Sequence, residues 1–267
     1  MSARARVDRL TACAHVLLQR PVISVSATNI FARPTGDGRQ VLVYSMSLHA
    51  QEPLAMILPI PVAVGAGEKA LQFVNLEGYP DFFAYLRRGF PEPLPAAGDS
   101  LGVTRGAPSV PKPLAVEKVG SFVASFVPKI ADFSRLDARF RLDDGVWQKL
   151  GQYADYGFAV FQLQSGRARI HPMAFLFPTA QPGTIFFPTV HIHDGKVHPR
   201  AEFDHALYCQ VAKGGLHSVT RWEESVQPVG RYVDVKHAQN LVVGERHLYR
   251  RLMHGTLANE DVVLRAA

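Results

Sequence analysis

Residues 188–210, PTVHIHDGKVHPRAEFDHALYCQ, gather His191, His193, His198 and His205 with Asp194, Glu202, Asp204 and Cys209. Imidazole, carboxylate and thiolate are the groups that ligate transition metals and move protons near neutral pH. Asp194-Gly195 has the composition of a two-residue type I′ hairpin turn. With the turn there, His191 faces His198 and His193 faces Lys196, while Ile192 and Val197 share the opposite, apolar face. Directly opposed Cβ atoms lie ~5 Å apart and i, i+2 neighbours ~7 Å. From such a spread His191, His193 and His198 can converge on a divalent metal such as zinc at ~2.1 Å. Glu202 or Asp204 would then serve as fourth ligand or general base. Lys196 on the same face opposes a cation, and Pro199 marks an edge strand, where polar side chains commonly stand in solvent. Three readings stay open: a metal site serving a hydrolase or oxygenase, a pH-sensitive or intermolecular surface, and histidines with a structural or surface role.

Other chemical patterns are weaker. GDSLG at 98–102 fits the G-x-S-x-G nucleophile elbow, and Asp234-x-x-His237 supplies a late Asp-His pair. The elbow needs a strand entering a helix, where backbone amides form the oxyanion hole. Here PEPLPAA precedes it and GVTRGAPSVP follows, neither of which suits those elements. Ser100 is therefore not expected to be a nucleophile. The spacing after His193 fits neither a cupin nor a metallo-β-lactamase ligand run. The chain holds no Cys-x-x-Cys, phosphate loop or dinucleotide fingerprint. His171, in RIHPMAF, is expected to cap a strand by hydrogen bonding. Phe82, Phe83, Phe158, Phe161, Phe175 and Phe177 are expected in the core rather than in a ligand pocket.

The elements that must position these residues are mostly strands. VISVSATNIFA, RQVLVYSMSL, AMILPIPV, GSFVASFVP, GFAVFQLQ, ARIHPMAFLF and TIFFPTVHIH alternate with period two between Pro, Gly or Asp-Gly punctuation. Short helices are expected near 79–90, at ADFSRLDARF and at 144–156. Residues 91–113, PEPLPAAGDSLGVTRGAPSVPKP, have no apolar period and read as an extended, exposed connection. On either side of it, 39–62 and 167–190 have equal length, follow a glycine and close on valine, which suggests a repeated hairpin. The expected architecture is α+β, mainly antiparallel β-sheet in two pseudo-repeated halves with a few short helices. It forms a single compact domain over 1–267, with possible halves at 20–90 and 114–225.

The succession of ILPIPV, a helix containing Phe82-Phe83, a Pro-rich connection, VGSFVASFV, DFSRLDARF, GFAVFQL, HPMAFLFP and FFPTV resembles a family of bacterial proteins of unknown function, many of them envelope-anchored. The resemblance spans 20–195 and implies fold alone: it carries over no activity, cofactor or site residue.

With 47% hydrophobic residues in 267, the chain can bury a substantial core. Its longest apolar run, LAMILPIPVAV, falls short of the ~20 residues a spanning helix needs. The N-terminal MSARARVDRLTACAHVLLQR reads as an amphipathic helix rather than a leader, and two distant cysteines, Cys13 and Cys209, suit a reducing compartment. These features point to a cytoplasmic protein. The net charge of +6 is scattered apart from Arg87-Arg88 and RHLYRR at 246–251, so nucleic acid is not an expected partner. The leading expectation is a non-catalytic binding or scaffold protein for a protein or small molecule, and the alternative is the three-histidine metal enzyme.

Overall fold

The computed structural model describes residues 22–50, 54–90, 116–120, 122–136, 151–163, 166–169, 171–192, 197–212, 215 and 218–265. Their β-branched and aromatic runs form β1 (Val22–Pro34), β2 (Arg39–Ala50), β3 (Leu54–Ile60) and β4 (Gln72–Asn75) before the helix α1 (Phe82–Arg87). After residue 115 come β5 (Val116–Val119), β6 (Phe122–Val127), 3-10 turns at Ile130–Arg135 and Gly151–Tyr153, β7 (Gly157–Leu163), β8 (Gly166–Arg169), β9 (Met173–Pro178) and β10 (Thr184–Phe187). The last part contains β11 (Arg200–Cys209), β12 (Glu223–Glu224), a 3-10 turn at Val229–Arg231, β13 (Tyr249–Ala258) and β14 (Val262–Arg265). The fold is α+β and dominated by antiparallel sheet. Among the described residues no helix is long and apolar enough to cross a membrane.

The large sheet runs β12-β13-β11-β1-β2-β9-β4, with β8 also on β2; a second sheet runs β3-β7-β6-β5, and β10 pairs with β14. Among the described residues every strand pair is antiparallel except β1 with β11. Strands from both sides of 91–113 therefore interleave in one sheet. The two equal-length segments carry strands at matching offsets, yet neither is a hairpin. β2 stays in the large sheet while β3 pairs with β7, and β9 stays while β10 pairs with β14. The physical reason lies in β2, whose two faces are both buried. Leu42 and Tyr44 pack with Met56, Leu58, Phe161 and Phe175 on one side, and Val41 and Val43 pack with Phe82, Phe83 and Leu86 on the other. Such a strand needs a layer on each side, and β3 supplies one of them. Beyond β3, Ala55 and Ile57 face an outer cluster with Phe133, Tyr153 and Phe158.

The layer opposite β3 includes residues 229–242. It closes on a Schellman-type turn in which Asn240 N–H bonds Val235 O (2.9 Å) and Gln239 N–H bonds Lys236 O (3.0 Å). Gln239 and Asn240 both have positive φ, 52° and 58°. Arg33 holds this turn by donating from Nε to Leu241 O (2.6 Å) and from Nη2 to Asn240 O (3.0 Å).

Candidate functional site

On β11 the inward positions are Phe203, His205, Leu207 and Cys209, each nearly or wholly out of solvent. Parallel register with β1 sets His205 beside Thr28, and antiparallel register with β13 sets Asp204 beside His254. His191, before the Asp-Gly stretch, is also buried. Its Nε2 lies 3.1 Å from His205 Nε2, one ring donating and the other accepting, and its ring lies flat on Phe203 at 4.3 Å.

The zinc expectation is corrected here. Among the described residues no group of three His, Cys, Asp or Glu side chains is placed to hold a metal ion. His191 turns inward to meet His205, His198 is exposed, and His193 lies outside the described residues, as do Asp194, Gly195 and Lys196. Ile192 and Val197 do join one apolar cluster. The base of the stretch is set by Asn259. Its Oδ1 accepts from His191 N–H (2.7 Å), and its Nδ2 donates to His191 O (2.9 Å) and His198 O (2.9 Å).

Asp261 completes this clasp: its Oδ1 accepts the amides of Thr189 (2.8 Å) and Val190 (3.1 Å), and its Oδ2 accepts Tyr153 O–H (2.6 Å). Burial pushes the Asp261 carboxyl up to about 6 despite these donors. Asp204 Oδ2 accepts Ala27 N–H at 2.6 Å, and burial raises this carboxyl too. Ala27 has a φ of 51° and lies within the register shift of β1 against β2; Asn29 Nδ2 donates to its carbonyl at 2.7 Å. Asp204 and Asn29 thus hold a strained bulge from two sides. Glu202 accepts from Thr256 Oγ1. Asp204 and Glu202 thus tie β11 to β1 and β13, while Asn259 and Asp261, between β13 and β14, hold the backbone of residues 189–191.

The other candidate residues resolve similarly. His171 stacks on Phe122 at 4.4 Å in the break between β8 and β9, and burial lowers its pKa. Asp234 and His237 do pair, Nδ1 to Oδ2 at 2.7 Å, but both side chains are largely exposed, and Asp234 Oδ1 also accepts His237 N–H. Ser100 lies outside the described residues. Asn259 and Asp261 carried no sequence signal, since each acts on backbone some seventy residues away.

The remaining candidate surface lies where α1 leads into 91–113. Phe90 is buried against Tyr208 (6.1 Å), with the Arg250 guanidinium 4.6 Å over its ring. Arg250 also donates to Glu223 from Nε (2.9 Å) and Nη2 (2.7 Å). Gly89 O accepts Val226 N–H at 3.0 Å, and a Cβ on Gly89 would meet Tyr232 Cζ and Oη at 2.5 Å. The chain is thus anchored immediately before residue 91. At the other end it resumes in β5, paired with β6.

No family model and no curated protein matches the chain. Among solved structures it is similar to baculovirus P35, with a TM-score of 0.51 and 14% identity over 94% of this chain and 99% of that one. A mutated baculovirus P35 after caspase cleavage gives a TM-score of 0.51 and 12% identity over 91% and 100%. At such identities the likeness is one of fold.

Proposed function

We propose that the protein is a non-catalytic binding protein that offers residues 91–113 to a protease partner, which cleaves after Asp99. The observation that carries this reading is the end-to-end fold likeness to P35, a mutated form of which is known after caspase cleavage. Two further features support it. The connection reads as extended and Pro-rich, the kind of segment proteases reach first. It contains one aspartate, Asp99, followed by the small Ser100, and caspases cut after aspartate. The firm seat of Phe90 suits a segment that must be presented from a rigid base. A reducing, cytoplasmic setting suits the buried Cys209 thiol, whose pKa burial raises.

The test is digestion of the full chain with a purified caspase, read by intact mass. The reading expects one cut, between Asp99 and Ser100, absent in Asp99→Ala. An uncut chain, or cuts unaffected by Asp99→Ala, would overturn it.

A further inference from the structure

Next to the anchor of 91–113 lies an open depression of about 560 Å³ lined by Arg88, Arg231, Tyr232, Asp234 and Lys236, among others. Three of its side chains are cations and one is a carboxylate. Arg88, Arg231 and Lys236 are exposed, and among the described residues none of them lies within ion-pair distance of a carboxylate. Asp234 is already engaged by His237, whose amide and ring both bond it and hold its carboxyl below the usual carboxylate range.

The cations are not equally loose. Arg88 lies over the Tyr85 ring at 4.4 Å; Tyr85 stacks on Tyr79 at 5.1 Å and 9°, and Tyr79 stacks on His237 at 6.1 Å and 18°. This contact seats the guanidinium on an aromatic ring and leaves it, among the described residues, without an ion-pair partner, an arrangement that favours capture of an oxyanion. Carboxylates need only the N–H edges.

We infer that this depression docks a carboxylate-rich segment of a protein partner through Arg88, Arg231 and Lys236. The inference rests on the reading above in taking the partner to be the protease that engages 91–113. Arg88 precedes Pro91 by three residues, so a partner that engages the start of that segment lies within reach of Arg88. The docking supplies orientation and association rate, the usual contribution of charge at the rim of an interface.

The test uses the full chain and a fluorescein-labelled peptide of six glutamates, followed by anisotropy. Binding is expected with a Kd below about 100 µM at low salt, weakening steeply as NaCl rises from about 50 to about 300 mM. The triple variant Arg88→Ala, Arg231→Ala, Lys236→Ala is expected to lose at least about tenfold in affinity. A control with the same charge change, Lys69→Ala, Arg251→Ala, Arg265→Ala, is expected to stay within about twofold. Equal losses in both triples would reduce the effect to net charge and overturn the site, as would absence of binding by the native chain. Tighter binding of an oligothymidylate than of the peptide, lost in the first triple, would overturn the assignment in favour of nucleic acid. None of these readings requires cleavage at Asp99, so failure of the site and failure of the protease reading are distinguishable.

Discussion

Replacing Asn259 with alanine should be among the more damaging polar substitutions in this protein. The side chain makes three hydrogen bonds to main chain, accepting from His191 N–H and donating to the carbonyls of His191 and His198. Its own amide bonds Pro199 O at 3.0 Å, which a substitution leaves in place. Each such bond contributes about 1 kcal/mol net, and stranding a buried partner adds its desolvation cost. His191 is buried, so its amide and carbonyl cannot turn to water without moving the ring off His205 and Phe203. The expected loss is about 2–4 kcal/mol. Urea unfolding should show a lower midpoint with an unchanged slope, and hydrogen exchange should show earliest opening at the His191 amide. A loss under about 0.5 kcal/mol would refute the reasoning, because the clasp would then be replaceable by water.

Three more outcomes are expected. Asp261, raised from 3.8 to about 6 in the folded chain, binds its proton more tightly folded than unfolded. Its contribution is therefore full below pH 3.8 and lost as pH rises through about 6, up to about 3 kcal/mol. Asp261→Asn, which retains an acceptor for Thr189 and Val190 and a donor for Tyr153 Oη, should flatten that decline, as denaturation at about pH 4.5 and about pH 7.5 will measure. Gly89→Ala should cost about 1–3 kcal/mol through overlap with the Tyr232 ring, relieved by the double variant with Tyr232→Ala, as thermal unfolding of both will report. Ser100→Ala should leave the unfolding midpoint unchanged and still permit cleavage after Asp99; loss of an esterase activity in that variant would reinstate the nucleophile elbow.

Period-two patterning located β1, β2, β3, β6, β7, β9 and β10, because strands packed from one or two sides carry their apolar residues in the sequence itself. The same pattern does not encode which strand pairs with which. β2 and β3 are adjacent in sequence, but the burial of both faces of β2 sends β3 into another sheet, and the pairing of β1 with β11 spans most of the chain. β13 was not anticipated, since its exposed Arg251, Leu252, His254 and Thr256 break the alternation. For the histidine stretch, the apolar partnership of Ile192 and Val197 was legible from pleat parity. The inward turn of His191 was not, since it depends on Asn259, Phe203 and His205, none of which a local turn rule includes. The Arg87-Arg88 knot was visible as charge. Its meaning required Arg231 and Lys236, brought beside Arg88 by the fold.

Under the proposed function the protein binds a protease through residues 91–113. The most direct measurement is size-exclusion chromatography with light scattering on the full chain mixed with an active caspase. The prediction is a peak whose mass is that of the caspase plus bound chain, containing chain cut after Asp99, and no such peak with Asp99→Ala. Separate elution of the two proteins, with the chain either intact or cut elsewhere, would contradict it.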